Sequence, residues 1–428
     1  MRSKDTWLAG RVAQAIFVFT LICVSPVWSQ TYQVIFNFDS ASVGSHPYAP
    51  LTFDSRGNLY GTAFVWQNHD PNNCTSGCGT VFRLSPNESG GWNGTVLHVF
   101  AGSDDGEGGS PNAPVVFDRQ GNLYGSSNCS FECAGFSGGS VFKLTPVPQG
   151  PWTESILYRY GFFAICQPLV GFANCSVAFD GNRQLFGSTV GGDSCPNGEG
   201  GVFQLRPASV SYWLQSNIYC FTGGSDGQLP QGLLAFDAGN NIYGTTVAGG
   251  SAGLGTTYLL KPNHGSPGWT KTVLHSFQGG PRDGSSPIAA VVVDASGNVY
   301  GTTTQGGAFG QGTAYMLTPN PDGTWTEAVL YFFHGGNDAG FPSSSLTFDA
   351  FGNLYGTAVE GGSHRQGAVF KLTSSGGHWT ESVVYNFTGG QDGGLPYGGL
   401  IIDSSGTLYG TASIGGPTDD GVAFTIRP

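Results

Sequence analysis

The residues best placed to do chemistry in this chain are carboxylates, aromatics and cysteines gathered in glycine-rich loops. Asp-Gly pairs recur at Asp105-Gly106, Asp226-Gly227, Asp283-Gly284 and Asp392-Gly393, with Asp338-Ala339-Gly340 as a variant. A ring of such carboxylates suits calcium, which needs ~6–8 oxygens converging on one ion. Each Asp could instead cap a tight turn that the Gly completes. One Asp per loop is sparse for calcium, and no D-x-D-x-D-G loop with a downstream Glu is present, so the pattern favours turns and predicts no metal. The eight histidines, His46, His69, His98, His264, His275, His334, His364 and His378, include no H-E-x-x-H or comparable pair. His98, His275 and His334 fall in or next to candidate strands and are expected to be partly exposed. A G-x-S-x-G elbow and a P-loop are both absent. No catalytic residue and no cofactor is predicted.

The cysteines point to an oxidising compartment. Arg2, Lys4 and Arg11 precede or flank an apolar run at 12–24, and Val27-Trp28-Ser29 follows it, the pattern of a signal peptide cleaved near Ser29–Gln30. The run is shorter than the ~20 residues of a membrane span. Ile22 is too bulky for lipoprotein cleavage before Cys23. The expected products are a signal peptide at 1–29 and one domain at 30–428, secreted or otherwise extracytoplasmic, with no membrane span left. Eight cysteines then remain, which favours disulfides. Cys74/Cys78 and Cys129/Cys133 are the local pairs, leaving Cys166/Cys175 and Cys195/Cys220; zinc is the rival, but neither C-x3-C loop has His at finger spacing. Losing Arg2, Lys4, Arg11 and Asp5 takes the net charge from −12 to −14. Such an acidic chain repels phosphate backbones, which argues against nucleic acid as a partner.

These loops hang on a repeat. Gly is 71 of 428 residues and charged residues are only 10%, with aromatics plentiful, a composition of many short strands and tight turns rather than of disorder. One phrase recurs seven times: DSRGNLYG from Asp54, DRQGNLYG from Asp118, DGNRQLFG from Asp180, DAGNNIYG from Asp237, DASGNVYG from Asp294, DAFGNLYG from Asp349 and DSSGTLYG from Asp403. The steps are 64, 62, 57, 57, 55 and 54 residues, a period of propellers and repeat arrays. Each unit predicts four strands. A short apolar strand ends at the Asp, and a hairpin turn leads into LYGT; the Asp is expected to accept from N–H groups two and three residues on. A third strand such as GAVFKLT (367–373) follows, then a fourth that usually opens on Trp, such as WTESVVYNF (379–387). The last unit stops after its third strand, while an orphan fourth strand, TYQVIFNF (31–38), stands at the start. Pairing the two closes a ring and removes exposed sheet edges. The expected fold is all-β: a seven-bladed β-propeller with four antiparallel strands per blade, closed by the N-terminal strand. The loops after strands two and four then share one face, here called the top.

The string D-x-x-G-N-L-Y-G-T, then G-G, G-T-V-F-K-L-T, W-T-E-x-V-L-Y-x-F and G-G-x-D-G, resembles the GloVer tandem repeat over nearly all of 31–428. The resemblance implies an extracytoplasmic bacterial protein, often with a C-terminal anchoring module, and supplies no activity. This chain ends within its last strand, so it is expected to be released or held non-covalently. Asp322-Gly323-Thr324-Trp325 matches part of the Asp-box of sialidase propellers, a structural element there, without the Arg triad of those enzymes. The Trp-and-Gly docking repeat of quinone-dependent dehydrogenases is missing.

Asymmetry among the repeats is the better guide to function. Repeats 1–3 carry long cysteine-bearing top loops with Trp66, His69 and Asp70, then Phe131 and Phe136, then Phe162 and Phe163. Stapled loops with aromatics suit a rigid binding surface, because ordering is completed before the ligand arrives; they equally suit plain resistance to proteolysis. The leading expectation is a non-catalytic binding module for an extracellular glycan or cell-surface protein. The alternatives are an enzyme acting on extracellular polysaccharide through top-face carboxylates, which requires a deep pocket with raised-pKa acids, and a structural cell-envelope protein.

Overall fold

The computed structural model describes residues 30–65, 78–100, 108–128, 139–148, 150–160, 176–191, 195–209, 213–263, 265 and 268–428. Seven sheets of antiparallel strands in the order first–second–third–fourth make seven blades. Blade 6 is representative: Thr347–Phe348, Leu354–Gly361, Ala368–Ser375 and His378–Asn386. Blade 7 takes Ile401–Ile402, Leu408–Ala412 and Val422–Arg427 from the C-terminal repeat and Thr31–Asn37 from the N-terminus. Thr31 faces Arg427 and Asn37 faces Val422 across that closing pair. The ring is therefore sealed by backbone hydrogen bonds between the two ends of the described chain. The described residues contain no α-helix.

The repeated phrase can be read atom by atom. The Asp54 carboxylate accepts from the backbone N–H of Arg56 (2.8 Å) and of Asn58 (2.9 Å), from the Asn58 amide (2.7 Å) and from the Tyr60 hydroxyl (3.1 Å). Asp118, Asp237, Asp294 and Asp349 do the same. The backbone donors lie two and four residues on, not two and three as the sequence suggested. The reason is Gly57, whose φ of 80° adds a left-handed residue to the turn. In blade 3, Asp180 keeps only the Gln184 N–H and Phe186 has no hydroxyl to give.

The Gly of LYGT answers to a different constraint. In every blade the third-strand aromatic crosses beneath it. A Cβ added at Gly61, Gly125, Gly187, Gly244, Gly301, Gly356 or Gly410 would fall 2.4–2.7 Å from Phe82, Phe142, Phe203, Tyr258, Tyr315, Phe370 or Phe424. Each of those rings meets the aromatic that ends the preceding blade's fourth strand. The pairs are Phe38–Phe82, Phe100–Phe142, Tyr160–Phe203, Phe221–Tyr258, Phe277–Tyr315, Phe333–Phe370 and Phe387–Phe424, with centroids 4.9–6.2 Å apart and planes at 60–70°. The fourteen rings are all buried. Edge-to-face pairs contribute roughly 0.5–1.5 kcal/mol each beyond their buried area. The final Thr works at the inner seam: Thr62, Thr245, Thr302, Thr357 and Thr411 each donate a hydroxyl to a backbone carbonyl of the next blade.

Because Gly356 is Gly to admit the Phe370 ring, Gly356→Ala is expected to cost about 1–3 kcal/mol, the range for overpacking. Phe370→Leu frees that volume. Urea unfolding of Gly356→Ala/Phe370→Leu is therefore expected to show a loss smaller than the sum of the single losses. Strict additivity would remove the ring-over-glycine explanation.

Candidate functional site

On the top face, an X-Pro step latches neighbouring blades at six junctions among the described residues. His46, Ser110, Leu229, Ser286, Phe341 and Leu395 all precede Pro and all have φ between 47° and 57°. Left-handed backbone costs a non-glycine residue roughly 1–2 kcal/mol. Tertiary contacts hold it: the N–H of His46 donates to Asp420 O, of Leu229 to Glu199 O, of Ser286 to Leu254 O, of Phe341 to Gln311 O and of Leu395 to Gln366 O, at 2.8–3.0 Å, and Ser110 donates to Cys78 O. The following Pro packs where a Cβ would stand on the partner blade's Gly421, Gly200, Gly255, Gly312, Gly367 or Gly79.

Outside the latch, the Asp-Gly loops meet the fourth strand of the next blade. Their carboxylates cap their own turns: Asp226 accepts from Thr222 N–H, Asp283 from Gln278, Asp338 from His334 and Asp392 from Thr388. The strand residue before the turn adds a side-chain bond, from Tyr219, His275, Tyr331 and Tyr385 in turn. What the neighbouring blade brings varies among the seams. Lys271 places its ammonium 2.8 Å from Asp226 and over the Tyr219, Phe221 and Tyr258 rings. Glu327 stands in the corresponding place opposite Asp283, and Glu381 opposite Asp338. At the closing seam Tyr32 stacks on Tyr385 at 3.8 Å and donates to the Asp392 carbonyl.

This changes the protonation chemistry. Burial, reinforced by Asp283, pushes the Glu327 carboxyl up to about 7, with His275 opposing. Burial and then Asp338 raise Glu381 likewise. Each Glu therefore holds a proton against its Asp neighbour. His275, Asp283 and Glu327 bring ligand atoms within 4.8 Å of one another, also a donor set for a divalent ion. His98 (3.7 Å from Glu154) and His275 (3.1 Å from Asp283) are partly exposed as expected, with side chains 15% and 19% exposed. His334 keeps 48% exposure.

Two spaces open toward the top. The axial cavity is narrow, about 40 Å³, and is lined by Tyr48, Leu233, Ile288, Ala289, Ser344 and Tyr397 among others. Tyr48 and Tyr397 meet edge to face at 5.4 Å, and burial, then Tyr397, push the Tyr48 hydroxyl up to about 12. That volume is far below the ~300 Å³ a small ligand needs. A cleft of about 450 Å³ lies between blades 5 and 6, lined by Gln311, His334, Gly335, Gly336, Glu360, Gly361 and Arg365. At its edge Phe309, 53% exposed, packs on His334 with centroids 3.9 Å apart and ring planes tilted by 33°.

Of the residues singled out by sequence, Trp66, His69, Asp70, Phe131, Phe136, Phe162 and Phe163 lie outside the described residues, as do Cys74, Cys129, Cys133, Cys166 and Cys175 and the signal-peptide segment 1–29. Cys195 and Cys220 form a disulfide, and Cys78 is disulfide-bonded. The blade 5–6 cleft was missed because its loops are short. The available signal was alignment of the repeats: GGSAGLG, GGAFGQG and GGSHRQG put Phe309 opposite Ala252 and Arg365 opposite Gly253 and Gly310.

A family model described as the Gloeobacter/Verrucomicrobia repeat matches residues 171–320 and 266–428. No functionally curated protein matches the sequence. Among solved structures, the chain is similar to a putative oxidoreductase (glucose dehydrogenase) from Thermus thermophilus, at 14% identity over 93% of this chain and 100% of that one, with a TM-score of 0.44. It is similar to the PQQ-bound aldose sugar dehydrogenase of Streptomyces coelicolor, at 12% identity over 94% and 99%, TM-score 0.44. A putative 6-phosphogluconolactonase from Bacteroides uniformis is 13% identical over 78% and 84%, TM-score 0.47. These likenesses assign no activity to this chain.

The raised carboxyls give the seams a pH signature. Folded Glu327 keeps its proton up to about pH 7, whereas the unfolded carboxyl releases it near 4.5. Its contribution is complete below the unfolded value and is lost as pH rises through 7. The hairpin aspartates act oppositely: burial raises Asp54, Asp118, Asp294, Asp349 and Asp403, but the hydrogen bonds outweigh it and their carboxyls are lowered. Their contribution is lost as pH falls below the ordinary carboxylate range. Glu327→Gln, which can still donate to Asp283, is expected to raise Tm at pH 8 relative to the parent and to leave it nearly unchanged at pH 4.5. Equal effects at both pH values would contradict the shared proton.

Proposed function

The chain belongs to the Gloeobacter/Verrucomicrobia repeat family, and on that premise we propose that it is a secreted, non-catalytic propeller that binds an extracellular glycan through its top face. The observation that carries this reading is where the repeats stop being alike. The ring-over-glycine seam recurs at all seven junctions, and the opposite face repeats one Asp-capped hairpin. Aromatic and polar side chains that serve no seam cluster in the top loops. Phe309 on His334 beside the blade 5–6 cleft is the described instance; Trp66, Phe131 and Phe163 belong to the long loops of repeats 1–3, which the repeat pattern is expected to bring to the same face.

Against an enzyme acting on polysaccharide stands the placement of the acids. Among the described residues, the raised carboxyls Glu327 and Glu381 lie on outer strands facing Asp283 and Asp338 across two separate seams. They do not line the axial cavity or the cleft. Retaining and inverting hydrolysis both need two carboxyls flanking one substrate bond. Secretion is supported by the positively charged and apolar segment at 1–29 and by the Cys195–Cys220 disulfide, which persists in oxidising compartments.

The test is a glycan-array screen of the mature chain beside a variant with Trp66, Phe131 and Phe163 replaced by Ala. Binding weakened by tenfold or more, with Tm unchanged, is expected. A chain that binds no glycan, or one that turns over a bound polysaccharide, would overturn the reading.

A further inference from the structure

We propose that the cleft between blades 5 and 6 is itself a glycan subsite, selective for neutral sugars, with Phe309 as its stacking platform and Arg365 as its polar anchor. The inference rests on the glycan-binding reading above and moves the site away from the cysteine-bearing blades. At about 450 Å³ the cleft falls within the ~300–1,000 Å³ range of small-ligand sites.

Arg365, a left-handed residue whose side chain caps no turn, is the observation that separates this cleft from the other seams. Its φ is 59°, in the left-handed region. The corresponding loop position is Gly198, Gly253 and Gly310 in blades 3, 4 and 5, with φ of 70–76°, and Asp419 in blade 7, with φ 63°, whose carboxylate caps its own turn by accepting from the Gly415 N–H. Blade 6 therefore accepts roughly 1–2 kcal/mol of backbone strain to carry a side chain where a glycine suffices. The guanidinium makes no hydrogen bond or ion pair within the described residues, so nothing in the fold uses it. Its planar fork of donors suits the vicinal oxygens of a sugar.

The remaining groups complete the chemistry. Phe309 replaces Ala252 of the preceding blade and exposes half its surface above His334. His334 Nδ1 lies 2.9 Å from Asp338 Oδ2. With Nδ1 donating there, Nε2 is left as an acceptor. Glu360 is exposed in the same cleft and adds carboxylate acceptors. One cation against one anion leaves the cleft near neutrality, while the chain as a whole carries −12. An acidic polysaccharide meets both the Glu360 carboxylate and that long-range repulsion. A neutral hexose or pentose unit meets neither.

The mature chain would be run in native affinity gels containing soluble β-glucan, xylan, galactomannan or polygalacturonate. Retardation by at least one neutral polymer, little affected by salt, is expected, with none by polygalacturonate. Phe309→Ala and Arg365→Gly should each weaken that binding at least tenfold. Arg365→Gly installs the residue of the neighbouring blades, so its Tm should equal or exceed the parent's, which separates lost binding from lost folding. Binding untouched by either change but abolished by the Trp66/Phe131/Phe163 replacement would overturn the subsite and leave the glycan reading standing. Retardation by polygalacturonate that depends on Arg365 would overturn the neutral selectivity. No retardation by any polymer, together with an empty glycan array, would overturn both.

Discussion

Everything in this ring depends on an aromatic side chain passing beneath a glycine. The third-strand ring of each blade can reach the preceding blade only because the second strand carries no Cβ at the crossing point. There it meets the ring that closes the neighbouring fourth strand, edge to face, seven times around the circle. The contact spaces the blades evenly and buries the bulk of the apolar surface between them rather than within them. A blade alone has no such partner, which is why the last repeat's missing fourth strand must be recovered from the N-terminal end of the chain. The Phe387–Phe424 and Phe38–Phe82 contacts on either side of blade 7 place the N-terminal strand in the same ladder as every other fourth strand.

With the seams so uniform, the outer seam residue opposite each Asp-Gly loop is free to vary, and it does. Lys271, Glu327, Glu381 and Tyr32 occupy one position in four successive blades. The lysine neutralises its Asp with an ammonium, the glutamates avoid a second negative charge by keeping a proton, and the tyrosine turns instead to a backbone carbonyl. The carboxylates whose spacing suits calcium or catalysis serve first as turn caps and seam partners.

The repeat made most of the architecture legible. Seven copies, four strands each and an orphan strand at the start were enough to foresee the blade count and its closure. The hairpin Asp was legible too, although its second backbone donor sits one residue further on because Gly57 and its counterparts lengthen the turn. What lay hidden was contact between blades. Nothing in LYGT names the ring that its Gly admits, since that ring comes from another strand. Nothing in an X-Pro pair announces a left-handed residue, because proline ordinarily drives its predecessor toward extended backbone. The blade 5–6 cleft draws its walls from residues 311, 334–336, 360, 361 and 365, which are scattered along the sequence, whereas the cysteine-bearing loops are long and contiguous. Only the substitution of Arg365 for Gly within the aligned repeats marked the place.

Symmetry builds this molecule, and the proposed recognition rests on departures from it. That division can be tested across the whole ring at once by hydrogen–deuterium exchange of the mature chain, with and without a saturating neutral oligosaccharide. Protection is predicted in the top loops after strands two and four, including 305–312, 333–340 and 360–367, with the Asp-capped hairpins of the opposite face unchanged. Protection centred on those hairpins, or no change anywhere, would contradict it.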